Sequence, residues 1–213
     1  MSPYTDITIL LDRSGSMHVI RDAMESGFDE FVREHRIHPS TRLTLIQFDS
    51  RDNQDVLYTA RPVTDVPKML ISPRGMTPLL DAFCKAIDAT GRRLADMVER
   101  ERPNKVLFIV ITDGLENASR HYTRSDVRNR VQHQTSAYQW EFVYLGANQN
   151  AIMEAETFGI NANRAMTYDV NRVDPAWSGL TANTLSYTSG AASTSLDWDE
   201  EQRKKAITST TTI

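Results

Sequence analysis

The segment ITILLDRSGSM, Ile7 to Met17, constrains this chain more than any other. Its apolar first half reads as a strand buried on both faces, the kind that lies in a parallel sheet covered by helices. It stops abruptly in Asp12-x-Ser14-x-Ser16. In open α/β sheets, ligands bind in the crevice outside the carboxyl ends of the strands. One carboxylate and two hydroxyls therefore stand where such a fold does its work. Hard oxygen donors in a cluster suit Mg²⁺, Ca²⁺ or Mn²⁺ better than zinc.

The rest of the chain alternates strand-like and helix-like segments, which predicts a doubly wound α/β fold with a mainly parallel central sheet and helices on both faces. After a strand near 5–12, Ile20, Met24, Phe28, Phe31 and His35 recur at helical steps through 17–36. TRLTLIQFD (41–49) alternates like a half-buried strand, and 56–63 can pair with it as an antiparallel edge strand across the polar turn SRDNQD. Val66 to Ile71 is a short apolar piece of ambiguous type. A helix is expected from about Pro78 to Val98, with Leu80, Phe83, Cys84, Ile87, Leu94 and Val98 on or near one face. NKVLFIVITDG (104–114) is a second continuous apolar run, and it too ends in an aspartate, Asp113. A polar helix (123–138), a strand (140–146), a short helix (151–158) and a last strand (164–170) follow. From residue 171 to 213 the chain is first rich in small residues, then charged, so the expected organisation is one domain over 1–170 and an extension over 171–213. That extension is expected to pack partly on the domain and to fray at its end.

Bulk properties exclude several classes. A net charge of −4 does not favour nucleic acid, whose binders usually carry a basic face. No apolar run approaches the ~18 residues of a membrane span. MSPYTDIT lacks the features of a signal peptide. Cys84 is the single cysteine, so no intrachain disulfide forms, and a cytoplasmic location is the expectation.

Both aspartate-terminated strands would emerge on the same edge of a parallel sheet. Gly75-Met76-Thr77-Pro78 adds a threonine hydroxyl just before a long helix. Asp12-x-Ser14-x-Ser16, Thr77 in its Gly-x-Thr-Pro loop, and Thr112-Asp113-Gly114 together resemble the metal-ion-dependent adhesion site (MIDAS) of the von Willebrand factor type A (vWA) family. The resemblance covers about Asp6 to Asp169, with all five positions in family order. TDGLENAS and YLGANQN are similar to stretches in intracellular bacterial and phage members. The resemblance implies a Rossmann-like vWA fold, with Ser14, Ser16 and Thr77 as hydroxyl ligands. Asp12 and Asp113 would be charged ligands or holders acting through water. It implies Mg²⁺, with Mn²⁺ or Ca²⁺ as alternatives, and an open coordination position completed by an Asp or Glu of a protein partner. Intracellular relatives often work beside AAA+ ATPases or within multi-protein complexes. Self-association through a carboxylate of a second copy is a further option.

Each residue alone has a plainer explanation. Asp12 or Ser16 can cap a helix. Asp113-Gly114 is a common turn pair. Thr77-Pro78 looks like a helix start. Their coincidence on three carboxyl-end loops favours the metal site. Glu116 and Asn117 read as solvated loop residues, and Asn148, Gln149 and Asn150 as rim residues without metal contact. His18 reads as a first-turn residue, Cys84 as core, and Trp177, Tyr187 and Trp198 as packing anchors. Three functions compete: a non-enzymatic, metal-dependent protein-binding module; a metal-dependent phosphotransferase or hydrolase; and an assembly protein whose metal is purely structural. The enzyme reading is disfavoured. Ser14 stands where a haloacid-dehalogenase-type enzyme needs its second aspartate, and neither a serine-hydrolase elbow, a phosphate loop nor a dinucleotide turn is present.

Overall fold

The structure, a computed structural model, describes residues 4–147, 150–189 and 195–207. Strands β1 (Thr5–Asp12), β2 (Thr41–Phe48), β3 (Asp55–Pro62), β4 (Lys105–Thr112), β5 (Glu141–Ala147) and β6 (Ala165–Tyr168) form one sheet in the order β3-β2-β1-β4-β5-β6. All neighbours are parallel except β2 and β3. The expected doubly wound sheet with one antiparallel edge strand is thus the observed one. β1 and β4 are buried along nearly their whole length, as their unbroken apolar runs require.

Side chains alternate between two cores, one on each face of the sheet. Ile7, Ile9 and Leu11 of β1 join Ile109 and Ile111 of β4 beneath helices α1 (Arg21–His35), α5 (Val173–Ser189) and α6 (Glu200–Ile207). Leu10, Phe108 and Val110 point the other way, to α2 (Leu79–Ala95), α3 (Arg124–Tyr138) and α4 (Ala151–Thr157). Val66–Ile71 forms no regular element. Its Val66, Met69 and Ile71 are buried, and α1 holds its backbone, with Asp29 accepting from Met69 N (3.3 Å) and Glu25 from Ile71 N (2.7 Å).

The helix expected to reach Val98 ends at Ala95, and Val98 is exposed. Leu94 and Val98 are spaced like one face, but the chain must turn back to enter β4. Arg102 secures that turn by donating to the carbonyls of Ala95 (3.0 Å) and Met97 (3.2 Å). α3 starts where the sequence placed it, with a reciprocal capping box between Thr123 and Asp126.

The small-residue stretch after 171 is a helix, α5, packed against α1. Gly27 of α1 faces Trp177 so closely that a Cβ there would lie 2.2 Å from Trp177 Cδ1. Gly179 makes the same room for Trp198, at 2.6 Å. Both tryptophans are buried, as expected of packing anchors. The polar link is His35, whose Nδ1 donates to Phe31 O (2.8 Å) and whose Nε2 lies 3.0 Å from Thr184 Oγ1. The end of the extension, 208–213, lies outside the described residues, as do 190–194.

The two sheet edges are irregular or covered. β3 shifts register twice against β2, and Ala60 takes a positive φ of 45° with its N–H turned to Thr44 Oγ1 (2.9 Å). At the other edge, Arg203 of α6 donates to Ala165 O of β6 (2.8 Å).

Candidate metal centre

The strand order reverses between β1 and β4, each of which continues the sheet in an opposite direction. This switch point opens a crevice at the carboxyl edge. Asp12 closes β1 and Thr112 closes β4. Thr112 Oγ1 donates to Asp12 Oδ2 (2.7 Å), tying the two strand ends together, and Ser14 N donates to Asp12 Oδ1 (2.7 Å). From there a chain of hydroxyls runs outward. Ser16 Oγ donates to Asp113 Oδ1 (2.7 Å) and so accepts from Ser14 Oγ at 3.0 Å. Thr77 arrives from a third loop. A Cβ on Gly114 would lie 3.6 Å from Thr77 Oγ1 and 3.8 Å from Ser16 Oγ, so both hydroxyls converge on that glycine. Asp12, Ser14, Ser16, Thr77 and Asp113 therefore meet in one place. Asp12, Ser14 and Thr77 are buried, Asp113 is half-buried, and Ser16 is exposed.

The electrostatics of this cluster are unbalanced. Burial raises the Asp12 carboxyl to about 7, against the opposing hydrogen bonds from Thr112 and Ser14, and Asp113 adds to the rise. Burial also raises Asp113, against the hydrogen bond from Ser16. Among the described residues neither carboxylate forms a salt bridge. One buried and one half-buried carboxylate, with three hydroxyls and no basic partner among the described residues, fit a hard divalent cation. No three His, Cys, Asp or Glu side chains cluster among the described residues, so any cation here would rest on the two aspartates and the hydroxyls.

Arg13, which the sequence reading passed over, sits inside the motif yet turns away from it. Its Nε donates to Asp49 Oδ2 (2.6 Å), and its Nη1 pairs with Asp55 and reaches Gln47 Oε1 (3.4 Å). Arg74 donates to the same Asp49 oxygen (2.9 Å). The backbone closes the assembly: Arg13 N donates to Phe48 O (3.0 Å), Arg74 N to Arg13 O (2.9 Å) and Gly15 N to Gly75 O (3.1 Å). Gly75 has a φ of +69°, and a Cβ on it would meet Ser50 Oγ at 2.6 Å. That position needs glycine. This buried ion network locks the Asp12–Ser16 loop to the loop that carries Thr77.

Asn117 is exposed and Glu116 half-buried, as loop residues are, but both also tie loops together. Glu116 accepts from Leu80 N (3.0 Å), Ala118 N (2.9 Å), Ser119 N (2.7 Å) and Ser119 Oγ (2.7 Å), so its carboxylate fastens the Asp113 loop to the first turn of α2. A carboxylate there also suits the positive end of the helix. Asn117 Oδ1 accepts from Thr77 N (2.9 Å), and its own N–H donates to Thr77 O (3.1 Å). Asp81 of α2 accepts from the backbone of Arg120, His121 and Tyr122 at 3.0 Å each. These bonds outweigh burial and hold its pKa below the usual range. The lone signal for these roles in the sequence was a run of polar residues between a strand and a helix, which does not say what each carboxylate touches. Asn150 caps α4 by accepting from Met153 N (3.1 Å). Asn148 and Gln149 lie outside the described residues. His18 is exposed in the 3-10 turn Gly15–Val19. Cys84 is buried, and burial pushes its thiol up to about 12, against nucleophilic use.

Neither a family profile nor a curated protein matches the sequence. Solved structures do match the fold. Proximal thread matrix protein 1 from the mussel byssus, solved with a zinc-occupied MIDAS motif, has 16% identity and a TM-score of 0.59 over 84% of this chain and 45% of that one. The vWF domain of the type V pili tip protein Mfa5 from Porphyromonas gingivalis has 10% identity and a TM-score of 0.60, with 88% and 97% covered. The manganese-loaded TRAP protein of Plasmodium vivax has 19% identity and a TM-score of 0.55, with 80% and 70% covered. The chain spans less than half of the mussel protein it matches.

Proposed function

We propose that this chain, which has the fold of von Willebrand factor type A domains, is a non-enzymatic protein-binding module whose grip depends on a divalent cation. The observation that carries the reading is the meeting of Asp12, Ser14, Ser16, Thr77 and Asp113 with no basic side chain paired to either aspartate among the described residues. Ser14, Ser16 and Thr77 would hold the cation through neutral oxygens, and Asp12 and Asp113 would supply the charge. A cation so held stays under-compensated and attracts a carboxylate from outside, an Asp or Glu of a partner protein. Mg²⁺ is the favoured ion because it keeps several waters and is often completed by another molecule; Mn²⁺ and Ca²⁺ follow. Two of the similar structures hold zinc and manganese respectively, which supports a divalent cation of some kind.

The same reading places the protein in the cytoplasm, as a small adaptor similar to intracellular bacterial and phage members, serving an AAA+ ATPase or a multi-protein complex. Among the described residues no helix is long and apolar enough to cross a membrane. The enzymatic alternative is disfavoured because the Ser14 and Ser16 hydroxyls lead to Asp113 and, among the described residues, to no histidine that could relay their protons.

The test is thermal unfolding in EDTA, Mg²⁺, Mn²⁺ and Ca²⁺, on the wild type and on Asp12→Asn. Asparagine can still accept from Ser14 N and pair with Thr112 Oγ1, so the fold is retained. Metal at ~100 times its dissociation constant stabilises the wild type by about 2.7 kcal/mol, and the variant by none. Equal stabilisation of both would sink the site assignment.

A further inference from the structure

We propose that Asp49, Ser50 and Arg74 are positioning residues for the metal centre: through them the β2–β3 hairpin fixes where the Thr77 hydroxyl stands, and so how tightly the cation is held. The inference rests on the metal-binding reading and adds what tunes that site. Ser14 and Ser16 follow directly from β1, but Thr77 comes from a stretch, 66–78, that forms neither helix nor strand. Its position must be supplied from outside. The three residues before Thr77 all seat on the hairpin. Arg74 Nε donates to Asp49 Oδ2 (2.9 Å), and Met76 N donates to Ser50 Oγ (2.9 Å). Between them lies Gly75, where a Cβ would stand 2.6 Å from Ser50 Oγ and 3.4 Å from Ser50 N.

In this arrangement the hairpin leads and the Thr77 loop follows. Asp49 is fully buried and already committed. Its Oδ1 accepts from Arg51 N (2.6 Å) and Asp52 N (3.1 Å), its own N–H donates to Asp52 O (2.9 Å), and its Oδ2 accepts from Arg13 Nε (2.6 Å). Arg13 cannot release it. That guanidinium is buried, its Nη2 has no acceptor among the described residues, and its charge rests on Asp49 and Asp55. The hairpin is also pinned to α2, by Gln54 Nε2 on Ala82 O (3.0 Å) and Lys85 Nζ on Asn53 Oδ1 (2.9 Å). Arg74, in contrast, has a side chain 39% exposed, and it comes to Asp49. The other backbone bonds of this loop run to the Ser14 loop, from Arg74 N to Arg13 O and from Gly15 N to Gly75 O. A displacement at the hairpin is therefore passed to both hydroxyl-bearing loops. Groups that orient metal ligands from behind act in this way, and their loss costs affinity although they never touch the ion.

The experiment is calorimetric titration of the full chain with Mg²⁺, on the wild type, Ser50→Ala/Arg74→Met, Arg74→Lys and, as a control at another exposed ion pair, Arg33→Met. Urea unfolding in EDTA is recorded for each. The double variant removes no oxygen of the cluster, and Asp49 keeps Arg13 and two backbone N–H groups, so the fold is retained. Its Mg²⁺ dissociation constant is expected to rise about tenfold or more. Arg74→Lys keeps a cation for Asp49 and stays nearer the wild type, while Arg33→Met binds as the wild type does. Because coupling between two sites is reciprocal, Mg²⁺ also slows hydrogen exchange at the amides of Arg51, Asp52 and Met76 in the wild type. A merely structural hairpin gives another pattern: lower stability in EDTA, unchanged Mg²⁺ affinity, and exchange at those amides that ignores the metal. Unchanged affinity in the folded double variant, or metal-insensitive exchange, would overturn the inference. Ser50→Ala alone carries the test if the double variant does not fold. A wild type that binds no Mg²⁺ removes the metal reading itself, and that failure is told apart because the variants then have no affinity to lose.

Discussion

Acidification is expected to loosen the contact between α1 and α5 through His35. The imidazole is fully buried, stacked on Phe31 at 4.0 Å between ring centroids, with both nitrogens engaged. Phe31 O can only accept, so Nδ1 carries the proton and Nε2 of the neutral ring is left as an acceptor 3.0 Å from Thr184 Oγ1, whose single proton also has Leu180 O within reach (2.8 Å). Burial lowers the His35 pKa from 6.5 to about 4; the Phe31 carbonyl and Glu34 oppose that fall, and His38 adds to it. A depressed histidine pKa means that the unfolded chain takes up a proton the folded chain refuses. The stabilisation is therefore complete above the unfolded value of 6.5 and is lost as pH falls from there to about 4. A shift of that size corresponds to about 3 kcal/mol at one pKa unit per ~1.4 kcal/mol. Asp12 acts in the opposite sense: its raised pKa favours the metal-free fold as pH falls through 7. The assay must cancel it, so urea unfolding is followed in EDTA from about pH 7.5 to about pH 4 on wild type and His35→Gln. Both proteins carry Asp12, and their difference isolates His35. The variant is expected to be less stable at neutral pH and to close on the wild type by about 3 kcal/mol across the window. A constant difference between the two curves would refute the reasoning.

Three other perturbations follow from the packing. Asp49→Ala leaves the buried Arg13 guanidinium to Asp55 alone and removes the acceptor of Arg74, and is expected to cost about 1.5–3 kcal/mol by chemical denaturation; Asp49 is fully buried, and Arg13 is 5% exposed. Gly27→Ala drives a methyl into Trp177 and is expected to cost about 1–3 kcal/mol, with the tryptophan fluorescence shifted as α5 moves. Native Cys84 is expected to resist Ellman's reagent near neutral pH and to react fully in urea, because burial both hides the thiol and holds it protonated.

The parts of this architecture that were legible beforehand are those with strong periodicity or punctuation. Ile7–Leu11 and Val106–Ile111 can only be buried strands, and the aspartates that end them fall at one sheet edge by parallelism alone. The five oxygen residues were named from spacing and resemblance, and the structure brings them together. What escaped depends on pairing at a distance. Arg13 reads as a surface charge in any local window, yet it is matched by Asp49 and Asp55, 36 and 42 residues away. Glu116 reads as a loop acid until the start of α2 is brought against it. The α5 helix hides for another reason. Its apolar residues are small and lie on several faces, and its packing depends on what glycines 27 and 179 leave out.

The two edges of the sheet also limit how this molecule can join others. A free strand edge is a template on which another chain can add a strand, in fibres as in swapped dimers. Here β3 is broken by its register shifts and the turned-out Ala60, and β6 is four residues long with the Ala165 carbonyl already taken by Arg203. Neither edge offers a straight run of unspent backbone donors and acceptors. Contacts between this protein and its neighbours are thereby steered to side chains on loops, where a point change can switch them, and away from backbone ladders that grow without end.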